Sequence, residues 1–378
     1  MKAIGMHIFS GSQTIGHLLE GWSIDTILEI SDDMPNQNAY HFIKNYPKIK
    51  VKTPSEYENN EEYLDKLKDK NYDLLYSNPP CSGLSQINRN ASVDCAINQN
   101  IYKVLKMVDR IRPKTFLIEN APTLTTTGLP ILKDMVKLLP DYKFVIINDL
   151  AGNHNVSMHR RRTLVVGFYN KYFSKLPKIN CNAAPYCSIG DAIKDVDLTY
   201  NKEFPKDSKP ELFKYYDKVK PGESIFTAMA KNDNIKLPES IANDVKKIRY
   251  KMEHNERIWD KSPWRSSADD HAPSLASVVR IIHPTENRDF YVREYARLMG
   301  YPDDYIFYPD EVKTPIIQCI AQGVPVNFIR YISKEIKDSF KTKEFVDGDV
   351  VYINQCNPDN IRTKSYSTEE FSQTDTII

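Results

Sequence analysis

No apolar run in these 378 residues approaches the ~20 that a membrane-spanning helix needs. The amino terminus, MKAIGMHIFSGS, has neither the apolar core nor the cleavage pattern of an export signal, so the chain is expected in the cytoplasm. Its six cysteines, Cys81, Cys95, Cys181, Cys187, Cys319 and Cys356, form no C-x-x-C pair. Cys181 and Cys187 share a segment, but no histidine or third cysteine stands at zinc-like spacing beside them. That points to a reduced chain without metal. An excess of one charge is also missing: 51 Lys and Arg face 50 Asp and Glu, a net +1. A basic composition therefore announces no nucleic-acid partner, and any basic groove has to come from uneven distribution. No internal repeat is present.

What remains is ordinary globular material, 41% hydrophobic and 27% charged, enough for one large domain and a smaller module. The first half alternates strand-like and helix-like segments, as a parallel α/β sheet requires. Lys2–Phe9, Ser23–Ile30, Tyr72–Tyr76, Thr115–Ile118, Lys143–Ile147 and Thr163–Phe168 read as strands apolar enough for a sheet covered on both faces. Glu61–Lys70, Asn100–Ile111 and Leu129–Leu139 read as helices. Beyond Asn170 the texture turns rich in Lys, Asp, Pro and Tyr, as in an inserted domain of irregular structure. Helical patterning resumes at Val292–Leu298 and Pro325–Lys337. The stretch after Lys341 is polar, with little periodicity beyond Val350–Ile353, and is expected to be loosely packed.

Three segments carry chemistry. In Ser77-Asn78-Pro79-Pro80-Cys81-Ser82-Gly83-Leu84-Ser85 a loop leaves a strand end, where α/β proteins place ligands, and two prolines hold it stiff. A cysteine at its tip is placed to meet a substrate; the competing reading is a small buried hydrophobe. In Phe116-Leu117-Ile118-Glu119-Asn120-Ala121-Pro122 an acid ends an apolar strand, where partial desolvation raises its pKa and suits it to give a proton. The plainer reading of Glu119 is a surface or capping carboxylate. His159-Arg160-Arg161-Arg162 precedes a strand and taken alone is a solvated basic turn.

The order of these pieces resembles the cytosine-C5 DNA methyltransferase family over roughly residues 1–170 and 271–337. Phe9-Ser10-Gly11 is similar to that family's F-x-G-x-G cofactor loop, Asn78–Ser85 to its G-P-P-C-Q-G-F-S loop, and Glu119-Asn120-Ala121 to its Glu-Asn-Val motif. Met158–Arg162 resembles its Q-x-R-x-R motif. Val292–Pro302 resembles its R-E-x-A-R-L-x-G-F-P segment, and Ala321–Val326 its G-N-x-V-P-x closing motif. The sequence departs from the pattern at Gln13, where a second glycine is usual, and at His7, where an acid is common. Ser82, Met158 and Gln322 replace Gln, Gln and Asn. No convincing acid stands near Val51–Ser55 to contact adenine.

The resemblance implies a fold and a set of roles. The fold is α/β, a Rossmann-like, mostly parallel sheet of the class I methyltransferase kind, with a smaller inserted target-recognition domain. Residues 1–170 and 271–340 would form the catalytic and cofactor-binding domain, 171–270 the target-recognition domain and 341–378 a polar extension. Cys81 would attack C6 of a flipped cytosine in double-stranded DNA. Glu119 would protonate N3, with Arg160 and Arg162 holding the base or a phosphate. S-adenosylmethionine would lie against Phe9, Gly11, Glu29 and Pro79, with Gln322 and Gly323 completing the pocket. Ser85 and the basic run Lys246, Lys247 and Arg249 would contact DNA; the last three are equally readable as a solvated helix face. A monomer without metal is implied. Three alternatives stay open at this point: the same base chemistry with another donor, a tRNA cytosine methyltransferase, and a catalytically silent DNA-binding scaffold.

Overall fold

Nine strands form the central sheet, and the innermost are the apolar runs of the sequence. The structure, a computed structural model, describes residues 1–7, 11–32, 37–84, 91–180, 183–232, 237, 239–258, 260, 262–275, 280–312 and 314–377. In chain order the strands are β1 (Lys2–His7), β2 (Ser23–Glu29), β3 (Lys50–Lys52), β4 (Leu74–Asn78), β5 (Thr115–Asn120), β6 (Tyr142–Leu150), β7 (Arg161–Tyr169), β8 (Val350–Asn354) and β9 (Arg362–Tyr366). Their order across the sheet is β9-β8-β6-β7-β5-β4-β1-β2-β3. Every residue of β4 and β5 is buried, as helices on both faces demand. The pairings are parallel except along β7, which is antiparallel to β5 and β6, and between β8 and β9. Strand order reverses between β1 and β4, so their carboxyl ends are where a doubly wound sheet opens its crevice.

The helices fall where the 3.6-residue pattern puts them. Gln99–Ile111 turns Ile101, Val104, Leu105, Val108 and Ile111 into the core. Ser12–Leu19 packs on Val326–Ser339 so closely that a Cβ at Gly16 would stand 2.8 Å from Ile329 Cβ. Two polar links fix the same contact: His17 Nδ1 lies 2.6 Å from Ser333 Oγ, and Lys337 Nζ donates to Glu20 O at 2.6 Å.

The chain divides into two compact units, Met1–Asn155 with Arg160–Pro185 and Val324–Ile378, and Val156–His159 with Tyr186–Gly323. Two expectations change here. Residues 341–378 are not loosely packed. β8 extends the sheet beside β6, and Val350, Tyr352, Tyr366 and Phe371 are buried in the main core. The run Val350–Ile353 shows in the sequence, but a strand so short and flanked by polar residues gives no sign of the sheet it joins. Nor is the insert irregular throughout. It holds the 15-residue helix Glu239–Glu253, whose Ile241, Val245 and Ile248 pack with Leu212, Tyr216, Ile225 and Met229 in a core of their own. Abundant lysine and aspartate on the outer face obscure that i, i+4, i+7 stripe in the sequence. The long segment of the second unit, Tyr186–Gly323, begins and ends later than 171–270, and the short segment Val156–His159 joins it.

Candidate active site

β4 ends at Asn78 and the chain leaves it as Pro79-Pro80-Cys81. Prolines carry no N–H to extend a ladder, so the strand has to stop there. Cys81 is half-buried, and its carbonyl accepts from Leu84 N at 3.1 Å, closing a tight turn. Gly83 is required by close approach: a Cβ there would fall 2.3 Å from Asn98 Oδ1. The segment after β5 grips this loop on both sides of the thiol. Asn120 Nδ2 donates to Pro79 O at 3.3 Å, and Thr123 Oγ1 to Leu84 O at 2.6 Å. The segment that carries Glu119 thus also fixes the backbone on either side of Cys81.

Glu119 is buried near the end of β5. Burial raises its carboxyl pKa above the ordinary range, and the charges of Arg162 and Arg160 pull it part of the way back. Arg162 Nε lies 2.6 Å from Glu119 Oε1. The register explains the pair. Glu119 faces Leu164 across the sheet, so Arg162, two residues earlier, shares its face. The basic triplet is no solvated turn, because β7 begins at Arg161. Alternation sends Arg161 into solvent, while Arg160 is buried and Arg162 nearly so.

Three of the residues assigned to the cofactor, Gly11, Glu29 and Pro79, lie at strand ends of the first unit. Gly11 is buried at the start of Ser12–Leu19, and Ser12 Oγ accepts from Val324 N at 2.8 Å, joining the closing motif to the first loop. Glu29 is buried at the end of β2, and Pro79 is buried after β4. Phe9 and Ser85 lie outside the described residues. Gln322 and Gly323 close the helix Ile316–Gln322 in the second unit. One further acid emerges: Asp32 accepts from Ser55 N at 3.0 Å, which brings a second carboxylate to a segment where Glu56 is taken up by Thr53 N at 2.8 Å. Chain separation hid it.

The altered positions of the first loop form a buried polar cluster. Gln13 Nε2 donates to Ser77 O at 3.4 Å, and its Oε1 is buried with no partner. His7 is fully buried, its ring 4.9 Å from that of Tyr76, and burial lowers its pKa to about 3. A neutral ring therefore stands where an acid was expected. An orphaned acceptor in the first turn of a helix, a side-chain-free Gly11 and a buried acid ending β2 fit a nucleoside-bearing donor.

In the second unit Lys246 and Lys247 stand exposed on Glu239–Glu253 and line a cleft of about 990 Å³, where Lys251 and Arg280 alternate with Asp207, Asp244, Glu256 and Asp260. Arg249 is placed differently: its Nε donates to Ala230 O at 3.1 Å, capping the helix Ile225–Ala230. The three do not form one basic face. Trp264-Arg265 and Lys220-Pro221-Gly222 are structural neighbours. Gly222 N donates to Arg265 O at 2.8 Å, and Arg265 is buried, donating to Tyr216 O and His283 O. Among the described residues no group of three His, Cys, Asp or Glu could hold a metal ion, and no helix is long and apolar enough to cross a membrane.

The family model for C-5 cytosine-specific DNA methylases matches residues 5–338. Among curated relatives, the type II methyltransferase M.Sau96I of Staphylococcus aureus is 27% identical, over 92% of this chain and 76% of its own. M.XorII of Xanthomonas oryzae pv. oryzae is 24% identical, over 90% of this chain and 86% of its own. Among solved structures, a protein named as a DNA modification methyltransferase encoded within an E. coli prophage superposes with a TM-score of 0.63 at 20% identity, covering 90% of this chain and all of its own. The Entamoeba histolytica methyltransferase EhMeth gives 0.59 at 12% identity, over 90% of this chain and 99% of its own. These two likenesses show the fold.

Proposed function

Because the chain belongs to the C-5 cytosine-specific DNA methylase family, we propose that it methylates C5 of a cytosine flipped out of double-stranded DNA, through a covalent bond to Cys81. One observation carries this reading above the others. The segments that carry the acid and the thiol are tied together, with Asn120 and Thr123 holding the loop at Pro79 and Leu84 while Glu119 sits buried beside Arg162.

C5 of cytosine is a poor nucleophile until the ring gains electrons. The Cys81 thiolate adds at C6, and the C5–C6 electron pair is pushed into the ring toward N3. Glu119 gives N3 its proton, for which a raised pKa suits it. Arg162 orients that carboxyl, and Arg160 with Arg162 offsets the negative charge as it develops. S-adenosylmethionine, when bound, supplies an electrophilic methyl group. Gly11, Glu29 and Pro79 would hold it, together with Phe9, and Gln322 and Gly323 keep the same assignment directly before Val324. Asp32 joins them as the acid beside Ser55. After methylation a base takes the C5 proton, N3 returns its proton to the Glu119 carboxylate, and Cys81 leaves C6 as the thiolate, which restores the aromatic ring. None of this reaches a stacked base, so the cytosine has to leave the duplex, at an unstacking cost of about a few kcal/mol.

The second unit is assigned to target recognition, with Lys246 and Lys247 on phosphates. Mass spectrometry of nucleosides from cells expressing the chain tests the reaction. 5-Methylcytosine is expected in DNA and absent when Cys81→Ser is expressed. 5-Methylcytosine confined to RNA, or in neither pool, contradicts it.

A further inference from the structure

The family match ends at residue 338, and the hairpin β8–β9 lies beyond it. β8 covers the edge that β6 would otherwise expose, and it reaches further than an edge cap needs. Past its last ladder pair, Gln355 N donates to Asn148 O at 2.9 Å, and the Gln355 side chain donates to the Asp149 carboxylate. Asp149 is fully buried. It also accepts from Leu150 N at 2.7 Å and Asn153 Nδ2 at 3.3 Å, with His154 Nε2 at 2.5 Å. Asn153 Nδ2 in turn donates to Gln355 O at 2.9 Å.

The register gives this hub its meaning. Asp149 lies opposite Arg162 in the β6–β7 ladder, so the two share the face that also carries Glu119. The opposite face is tied as firmly. Asn148 Nδ2 donates to Tyr352 OH at 3.0 Å and to Thr125 Oγ1 at 2.8 Å, while Thr163 Oγ1 donates to Asn148 Oδ1 at 2.5 Å. Tyr352 belongs to the hairpin, Thr163 follows Arg162, and Thr125 belongs to the turn that grips the Cys81 loop. Ala151 N closes the set by donating to Arg160 O at 2.8 Å.

We propose that the carboxy-terminal hairpin is a positioning element for Arg162, acting through Gln355 on Asp149 and through Tyr352 on Asn148. Gln355 and Tyr352 touch neither substrate nor cofactor in this account; they fix the strand from which Arg162 reaches Glu119. The inference rests on the reading of Glu119 and Arg162 as the proton-donating pair.

The test uses the full chain with Gln355→Met, which keeps length and removes the donor, and Tyr352→Phe, which removes one hydroxyl. A loosened Arg162 lowers kcat roughly tenfold or more, with KM for S-adenosylmethionine changing less than about twofold. It also relieves the downward pull on Glu119, so the alkaline limb of kcat moves to higher pH, as it does in Arg162→Lys. Two outcomes overturn the proposal. One is wild-type kcat and limb in both variants. The other is a loss of activity that follows a lowered melting temperature while the limb stays put, which makes the hairpin an edge cap alone. The underlying reading fails separately, if Glu119→Gln leaves the wild-type limb in place.

Discussion

At the ends of β5 and β7 a carboxylate and two guanidiniums are buried together, whereas on the helix Glu239–Glu253 of the second unit the lysines stand in water. The first arrangement costs desolvation and leaves Glu119 with a raised pKa, so it is worth keeping only where a proton has to be moved. The second leaves Lys246 and Lys247 at the surface, Lys247 Nζ 3.5 Å from Asp244 Oδ1, where any contact with phosphate is one that salt can screen. On the proposed reading the contrast is one between chemistry and recognition: one unit shapes a few charges by burial, and the other offers charge at its surface.

The sharpest break comes from the thiol. Cys81→Ser is expected to lose all detectable methylation while keeping the melting temperature, since a hydroxyl is a far weaker nucleophile at neutral pH. A residual rate within tenfold of wild type would remove Cys81 from the chemistry. Next is Glu119→Gln, expected to cost about 10²-fold or more in kcat with DNA affinity little changed. Because burial raises the Glu119 pKa, the proton-donating form persists to higher pH than for a surface glutamate. Wild-type kcat then falls as pH climbs through that raised value, and Glu119→Gln flattens the fall.

How far the sequence discloses this contrast differs by region. The candidate site is legible because its residues are contiguous: Asn78–Leu84 leaves the end of β4 and Glu119–Pro122 the end of β5, and the backbone places their side chains. Even there, the antiparallel β7 that turns Arg160 and Arg162 inward reads as a basic turn, since alternation is invisible until the strand start is known. Asp32 and Gln355 are hidden for another reason, namely that their partners Ser55 and Asp149 are distant in the chain. On the helix Glu239–Glu253 the three basic residues look alike in sequence, and only packing separates Arg249, which caps a neighbouring helix, from Lys246 and Lys247.

That separation predicts two smaller effects. Reversing Lys246 and Lys247 to Glu should weaken binding to all DNA sequences alike and flatten its salt dependence, by roughly one unit of slope per lost phosphate contact. Arg249→Ala should leave the slope unchanged and lower stability by about 1 kcal/mol through the lost bond to Ala230 O. Equal slopes for both variants would erase the distinction. A further effect, confined to acid pH, lies within the first unit. The buried His7 titrates near 3 when folded and 6.5 when unfolded, so its neutral form contributes stability above pH 6.5 that is lost as pH falls towards 3. His7→Gln should make the melting temperature less sensitive to acid over that window. An unchanged acid profile would assign the loss to other groups.

The central claim, a covalent bond between Cys81 and the target base, is tested most directly with duplex DNA carrying 5-fluorocytosine, in the presence of S-adenosylmethionine. Fluorine at C5 cannot leave as a proton does, so wild type should be trapped in a complex that survives denaturation, with the adduct mapping to Cys81 in the digested protein and absent from Cys81→Ser. Turnover of ordinary DNA without any trapped complex, or an adduct mapping to another residue, would contradict the account.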